Sequence, residues 1–399
     1  MNGSPSLGQR LLRKKPMTNV VDSHDTHGGE LKRSITLFQL TMFGVGATIG
    51  TGIFFVLSEQ VPVAGPAVLV SFLLAGITAG LTALCYAEMS SMIPVSGSSY
   101  SYAYVTMGEG VAFLVAACLI LEYGVSAAAV AVGWSEYLHN LLFNLTGMEL
   151  PRWMLSAPLV AEGGYALHFG GEGLINLPAA VLVFMCALLL MRGAKESART
   201  NAIMVIIKLS VLVLFIAIAM TAFDGDRLVP FAPHGMTGIS AAAGAIFFTY
   251  VGLDAVSTAG EEVENPRRNL PLAILLALVI VTTFYVLVAL FALGAQPVTE
   301  FEGQEAGLAT ILQNITGSTW PAIVLSAGAV VSVFSVTLIV LYGQTRILFA
   351  MSRDGMLPAV FSKVDPHTLS PNINTMIVAC CVALVAAFMP ADVLWNLTS

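Results

Sequence analysis

The sequence predicts an all-α, polytopic membrane protein, and two features of its composition support that fold class. Of its 399 residues, 57% are hydrophobic and only 10% are charged, whereas a soluble domain carries about 25% charged residues. The mean hydropathy is +0.84. A chain with so little polar surface is not a soluble enzyme, a nucleic-acid-binding protein, a disordered chain or a disulfide scaffold.

The apolar residues are grouped into stretches of membrane-spanning length. A bilayer core of about 30 Å needs roughly 20 apolar residues in a helix. Nine stretches approach or exceed that length, at residues 35–57, 63–92, 111–138, 174–191, 201–223, 239–260, 270–294, 320–350 and 374–389. A tenth span starts near Asp392, so we expect residues 1–34 to be a tail and residues 35–399 to be one membrane domain. Residues 139–173, with their prolines and glycines, predict a long external loop.

The basic residues predict how the chain is oriented. Nearly all Lys and Arg residues fall on the side of the N-terminus, whereas Arg152 and Arg227 fall on the other side. Because positively charged loops stay in the cytoplasm, we expect a multi-pass protein of the cell membrane with a cytoplasmic N-terminus. Lys208 is the exception, since it lies within the fifth span.

Four glycines interrupt the first span, and two interpretations remain open. Gly44, Gly46, Gly50 and Gly52 make a poor helix interior. In one interpretation the helix breaks, and the amides that begin its second half face the membrane midplane and suit a carboxylate. In the other, the G-x-x-x-G spacing of Gly46 and Gly50 serves close helix packing.

The sixth span favours the broken helix, because Gly252 stands beside Asp254 in mid-span. The first and sixth spans are the corresponding members of two five-helix halves. Interrupted helices at corresponding positions indicate an inverted-repeat transporter with its site at the midplane. Amides from one break and carbonyls from the other suit a zwitterionic amino acid.

The motifs around these breaks resemble those of the amino acid–polyamine–organocation superfamily, and within it the cationic amino acid transporter-like permeases. The resemblance runs from about residue 30 to the end. It is carried by the segments Gly44–Phe54 (GVGATIGTGIF), Cys85–Tyr104, Gly193–Ser197, Tyr250–Arg268 and Arg346–Gly355. It implies a five-plus-five inverted-repeat fold with discontinuous helices 1 and 6, and a second repeat that is cut short in helix 10.

The resemblance also implies a substrate site at the two breaks. The substrate carboxylate would meet the backbone of the first break, at Thr48, Ile49, Gly50, Thr51 and Gly52. Its ammonium would meet the carbonyls of Phe248, Thr249 and Val251, with Phe248 as a candidate gate. Gly44, Gly46, Gly252 and Asp254 would support the breaks.

Lys208 lies eight residues beyond Thr200, roughly 12 Å into the span at about 1.5 Å per residue. It is either a structural lysine or a proton carrier, because a lysine withdrawn from water can lose its proton during a transport cycle. The resemblance implies that its ammonium contacts the broken first helix and the eighth helix. The eighth span offers hydroxyls at Ser332, Ser335 and Thr337.

Two acids in the spans also leave alternatives open. Glu122 either bonds to a neighbouring helix or faces the site and selects cationic substrates. Asp254 binds the substrate amine, caps the second half of the sixth helix or pairs with Lys208, and we favour the cap. The acidic run Glu261–Glu264 is expected to be solvated.

These features predict a transporter and no enzyme. The sequence shows no catalytic or metal constellation among its five cysteines and six histidines, and we expect no cofactor. The expected function is secondary active uptake of cationic or small neutral amino acids, coupled to protons and independent of sodium. The expected partners are the amino acid, protons and the lipid bilayer. The alternatives are a sodium-coupled or exchange-type transporter of the same fold, and a non-transporting amino-acid sensor.

Overall fold

The computed structural model describes residues 11–15, 31–50, 52–162, 166–171, 173–302, 307–390, 393–394 and 397, with the backbone alone at 54–55, 161–162 and 166–167. The described chain is mostly helical, and each of the nine predicted stretches contains helix. The helices are α1 (Leu37–Thr48), α2 (Gly52–Ala64), α3 (Val68–Met92), α4 (Ser99–Thr106), α5 (Glu109–Thr146), α6 (Leu177–Met191), α7 (Ala194–Thr221), α8 (Gly235–Phe247), α9 (Ala255–Thr258), α10 (Pro266–Ala295), α11 (Gly307–Thr316), α12 (Trp320–Arg353) and α13 (Asn372–Phe388).

Several of these helices are long and apolar enough to cross a membrane. In the described part of the chain, six segments meet both criteria: Val56–Met92, Glu109–Thr146, Ala194–Thr221, Gly235–Thr258, Pro266–Ala295 and Trp320–Arg353. Three shorter apolar helices, α1, α6 and α13, stand beside them. This pattern is that of a multi-pass membrane protein.

The first predicted span is two helices. A capping box starts α1, because the Thr36 hydroxyl accepts from the Gln39 amide while the Gln39 side chain accepts from the Thr36 amide. The helix ends at Thr48, and α2 begins at Gly52. The sixth span is interrupted as well, by a 3₁₀ turn at Phe248–Tyr250 and by Gly252, whose φ is +109°.

The broken first span lies in the middle of the bundle. Helix α1 contacts α7, α10 and α12, and it also touches the short α9 that follows the break in the sixth span. Around this centre, α3 packs along α10, α5 along α12 and α6 along α13. These packed pairs hold the two interruptions next to each other inside the protein.

Some elements are not apparent from apolar stretches alone. Helix α4 has the sequence SYSYAYVT and α11 is amphipathic, so neither is predicted to be a membrane span from its sequence. The predicted loop at 139–173 contains more order than expected, because α5 continues to Thr146 and the antiparallel strands β1 (Leu159–Glu162) and β2 (Ala166–Phe169) form a hairpin. The predicted start of a tenth span at Asp392 lies outside the described residues.

Candidate functional site

A cavity of about 330 Å³ lies between the two interrupted spans. Nine of the residues predicted for the site line it: Thr48, Gly50, Gly52, Glu122, Phe248, Thr249, Val251, Gly252 and Asp254. The cavity continues along α2 to Glu59 and Gln60, away from the end of the bundle at which α1 begins. The Phe248 side chain is 62% exposed. Thr51, also predicted for the site, lies outside the described residues.

Among the described residues predicted to meet the substrate carboxylate at the first break, Ile49 alone is absent from the cavity lining. Its side chain is fully buried and does not line the cavity. Its amide donates to the Val45 carbonyl at 3.0 Å, and the Gly50 amide donates to the Thr48 carbonyl at 2.9 Å. These two amides therefore already donate hydrogen bonds within the break. The amides without intrahelical partners are those in the first turn of α2, which begins at Gly52.

Gly44 and Gly46 serve helix packing. A Cβ on Gly44 would lie 2.7 Å from the Cβ of Ala277, and a Cβ on Gly46 would lie 2.6 Å from Cδ1 of Ile339. The segment thus shows both a helix break and close helix packing, and the binding of a carboxylate at the break stays a prediction. The first glycines allow α1 to approach α10 and α12, and the break follows after Thr48.

The two breaks touch each other. A Cβ on Gly252 would lie 3.2 Å from the carbonyl oxygen of Ala47, and the positive φ of Gly252 would strain any larger residue. The Tyr285 hydroxyl, on α10, lies 3.0 Å from the carbonyl oxygens of both Thr48 and Thr249. Tyr285 was not predicted, because nothing in an apolar stretch marks which tyrosine faces inward.

Lys208 is fully buried against the first break. Its Nζ donates to the carbonyl oxygens of Gly46 at 2.9 Å and Ile49 at 2.6 Å, and to Oγ of Ser335 at 3.1 Å. The hydroxyl of Ser332 also donates to the Ile49 carbonyl, at 3.0 Å. The ammonium thus joins the first and eighth spans, which are the contacts that the resemblance implied.

The prediction that Asp254 caps a helix is wrong. Asp254 precedes α9, but its side chain makes no capping hydrogen bond. Its carboxylate instead accepts from the Tyr123 hydroxyl at 2.6 Å. The acid lies toward α5, where the buried Tyr123 hydroxyl gives its carboxylate a charge-assisted hydrogen bond that a helix of one turn does not have to supply. Lys208 donates to carbonyls and a hydroxyl, so it does not pair with Asp254 either.

Glu122 faces the cavity and makes no bond to a neighbouring helix. It is exposed, and its carboxylate has no hydrogen-bond or ion-pair partner among the described residues. Glu59, Gln60, Tyr123 and Ser126 also line the cavity, and the sequence did not single them out. Ser126 lies four residues after Glu122 and therefore on the same face of α5, so helical spacing could have predicted that it also lines the cavity.

The N-terminal side of the bundle, defined by the start of α1 and the end of α12, contains ion pairs that join separate segments of the chain. The expectation that Glu261–Glu264 is solvated is wrong for its first two residues. Glu262 and Arg346 are 0% and 1% exposed and form a bidentate pair at 2.8 and 2.9 Å. The Tyr342 hydroxyl also donates to Glu262, and the guanidinium lies 4.1 Å from the centre of the Tyr342 ring. A local sequence pattern cannot identify an ion-pair partner that lies 84 residues away.

Two further ion pairs stand beside this one. Glu261 is bound by Arg353 at 2.6 and 2.7 Å, and it accepts from the Ser96 amide at 3.1 Å. Burial on its own would raise the pKa of Glu261, but the Arg353 guanidinium and these hydrogen bonds hold that pKa below its usual value. Lys15, from the N-terminal segment, pairs with Asp354 at 2.6 Å.

Within the described ranges, no group of three His, Cys, Asp or Glu residues could hold a metal ion. The arrangement places amide donors, carbonyl acceptors and carboxylates around a cavity between broken helices, a combination that suits a small polar molecule.

Residues 35–399 match the model of the family described as amino acid permease. The chain belongs to the amino acid permease family. The permease is 40% identical over 393 residues to the methylthioribose transporter of Bacillus subtilis (strain 168), and the match covers 98% of this chain and 82% of that relative. It is 40% identical over 390 residues to the branched-chain amino acid permease BcaP of the same organism, with the same coverage.

A plant relative and a solved structure complete the comparison. The permease is 34% identical over 397 residues to cationic amino acid transporter 2, vacuolar, of Arabidopsis thaliana, of which it spans 60%. The crystal structure of MhsT in complex with L-phenylalanine superposes with a TM-score of 0.62 at 17% identity, covering 90% of this chain and 80% of that one. The family model and the three sequence relatives, which are named as transporters or a permease, confirm the predicted family and the prediction that the chain is not an enzyme.

Proposed function

We propose that this permease takes up cationic or small neutral amino acids across the cell membrane, coupled to protons and independently of sodium. Its N-terminus would lie in the cytoplasm, in agreement with the distribution of basic residues. The observation that carries the proposal is the cavity between the two interrupted spans, with Lys208 bound behind the first of them.

The packing supports a five-plus-five inverted repeat. Counting α1 and α2 as the first span, α3 and α10 are the second and seventh, α5 and α12 the third and eighth, and α6 and α13 the fourth and ninth. Each of these pairs, five spans apart, is in extensive contact. A pseudo-twofold axis through the bundle would bring each element against its own counterpart in this way.

The cavity suits the two charged ends of an amino acid. The positive N-terminal end of α2 favours a carboxylate near Gly52. The interrupted sixth span offers the carbonyl of Val251 to an ammonium, whereas the Phe248 carbonyl already accepts from the Val251 amide at 3.2 Å and the Thr249 carbonyl is engaged by Tyr285. Phe248, exposed over the cavity, would cover the bound substrate.

The charges of the lining favour a cationic substrate. Among the described residues of the lining, Glu59, Glu122 and Asp254 are acidic and none is Lys or Arg. The first of these lies on α2, whereas the other two lie across the cavity on α5 and beside α9. A substrate side chain with a positive charge would approach an unpaired carboxylate at Glu122. Relatives named as cationic amino acid transporters agree with this assignment.

The coupling proposal depends on the position of Lys208. Its ammonium fills a cage of two carbonyls and a hydroxyl, the ligands that a sodium ion would also use. A cation fixed there leaves no room for sodium. When protonated, Lys208 would hold α1 against α7 and α12; when neutral, it would lose these charge-assisted bonds and let them part.

Uptake by purified permease in proteoliposomes tests this function. Radiolabelled arginine, alanine, leucine and methylthioribose would be compared with an inward proton gradient, with and without sodium. We expect accumulation of arginine or alanine that depends on the proton gradient and is unchanged when choline replaces sodium.

Other outcomes would identify the alternatives. Accumulation that requires sodium would indicate a sodium-coupled transporter, and uptake only against preloaded substrate would indicate an exchanger. Binding of amino acids without any uptake would indicate a sensor. Preference for methylthioribose over every amino acid would contradict the proposed substrate class.

A further inference from the structure

A second cavity lies far from the substrate site, on the N-terminal side of the bundle. It has a volume of about 320 Å³ and is formed between the beginning of α1 and the first turns of α7. Its lining comprises a basic part, an uncharged polar part and an apolar part. These parts are Lys195 and Arg199; Ser34, Thr36 and Gln39; and Phe38, Ala202, Ile203 and Ile206, with Glu264 at the edge.

The basic part is available for an anion. Lys195 and Arg199 are spaced one helical turn apart on α7 and both are exposed. Neither side chain has a hydrogen-bond or ion-pair partner among the described residues, although Glu264 lies at the same cavity. The lining therefore carries two positive charges and one negative charge. This contrasts with Arg346 and Arg353 on the same side, which are both bound to glutamates.

The three large side chains of the apolar part are exposed. Phe38 is 55% exposed, Ile203 52% and Ile206 49%. In a helix bundle that spans a membrane, such side chains face the acyl chains of the lipid. The basic residues precede the isoleucines along α7, so the charge lies at the membrane surface and the apolar wall extends inward from it.

We propose that this cavity binds the phosphate of an anionic membrane phospholipid. Lys195 and Arg199 bind the phosphate, the hydroxyls of Ser34 and Thr36 lie within the same cavity, and one acyl chain packs along Phe38, Ile203 and Ile206. Basic pockets between spans at the membrane surface suit such headgroups. The proposal depends on the membrane location of the chain, not on its substrate or its coupling ion.

The position gives the lipid a structural consequence. The cavity joins α1 to α7, and α7 also carries Lys208, nine residues beyond Arg199, about 14 Å along the helix. A bound phosphate would add a second link between the two helices that the Lys208 ammonium already joins. It would therefore stabilise the contact between α1 and α7 on the N-terminal side.

Native mass spectrometry and thermal unfolding of the full chain in nanodiscs test the proposal. The nanodiscs would contain phosphatidylcholine alone or mixed with phosphatidylglycerol, and inorganic phosphate would be added to phosphatidylcholine nanodiscs as a separate arm. The variant is Lys195→Gln/Arg199→Gln. The matched control is Arg267→Gln/Arg268→Gln, which removes the same charge from an exposed pair at the start of α10.

We expect phosphatidylglycerol to remain bound to the wild type and to raise its melting temperature. The Lys195/Arg199 variant should bind it roughly 30-fold more weakly, because each surface cation contributes about 1 kcal/mol to binding of an anionic lipid. The control should bind as the wild type does. Equal lipid binding by both variants would overturn the proposal, and so would equal stabilisation by inorganic phosphate, which would indicate a free-anion site.

Discussion

The acidic side chains on the two sides of the bundle have opposite surroundings. On the cavity side, Glu122 is exposed and without a partner among the described residues. On the N-terminal side, Glu262 is bound twice by Arg346 and is fully buried. Both acids face the interior of one membrane protein, so the difference does not follow from composition. One side leaves a carboxylate open to the cavity, and the other binds its buried glutamates to arginines.

The broken spans lie at the boundary between these two sides. Lys208 and Tyr285 bind the carbonyls that the breaks set free, and neither reaches the cavity. The breaks therefore present polar backbone to the cavity from one face while buried side chains hold them from the other. This is how unwound backbone is tolerated within a membrane.

The largest effect is expected from Arg346→Met. It leaves Glu262 buried without its cation, and breaking such a pair costs about 3–5 kcal/mol. The expected result is a melting temperature in detergent well below that of the wild type. The double variant Glu262→Gln/Arg346→Met, which removes both charges, should recover much of the loss. A single variant as stable as the wild type would contradict an N-terminal side that this pair stabilises.

A smaller effect is expected from Tyr285→Phe. The hydroxyl is buried between the carbonyls of Thr48 and Thr249, and the loss of a buried hydrogen bond costs about 1 kcal/mol. Because both carbonyls belong to the breaks, substrate affinity should fall several-fold while the fold is kept. Tyr250→Phe, which removes a hydroxyl bonded to the Phe72 carbonyl, is the matched control. Equal affinity in wild type and Tyr285→Phe would show that the bridge does not order the site.

Glu122→Gln should change selectivity. Removing an unpaired carboxylate from the cavity should weaken the binding of a cationic substrate roughly tenfold, about 1.4 kcal/mol. The affinity for a neutral substrate should be nearly unchanged. Competition between arginine and alanine for uptake measures this difference. Glu59→Gln, at the outer part of the same cavity, is the comparison and should discriminate less. An equal loss for both substrates would refute a selective role for Glu122.

Much of the architecture follows from the sequence, because it depends on local patterns. Apolar length predicts each of the nine helical stretches, and the glycines at positions 44–52 and Gly252 mark the breaks. The partners of the charged residues do not follow. Glu262 and Arg346 are 84 residues apart, so their pairing depends on the packing of α12 against the end of the sixth span. For the same reason the sequence suggests that Asp254 caps a helix, whereas in the fold its carboxylate accepts a hydrogen bond from the Tyr123 hydroxyl.

The smallest effect is expected from Arg353→Ala and depends on pH. Its pair with Glu261 lies nearer the surface than the Glu262 pair, so the loss at neutral pH should be about 1 kcal/mol. Because the folded protein holds the pKa of Glu261 below its usual value, the pair stabilises above about pH 4.3 and is lost as the pH falls through the lowered pKa. Melting temperatures of wild type and variant should therefore converge on acidification. A constant difference down to pH 3 would contradict this.

The central claim is that Lys208 couples proton movement to transport. The direct measurement compares Lys208→Ala with wild type in proteoliposomes, for both proton-driven accumulation and substrate exchange without a gradient. Ser210→Ala, an exposed position on the same helix, is the control. We predict that Lys208→Ala loses accumulation and keeps exchange, while the control keeps both. An undiminished proton-driven rate in Lys208→Ala would contradict the account.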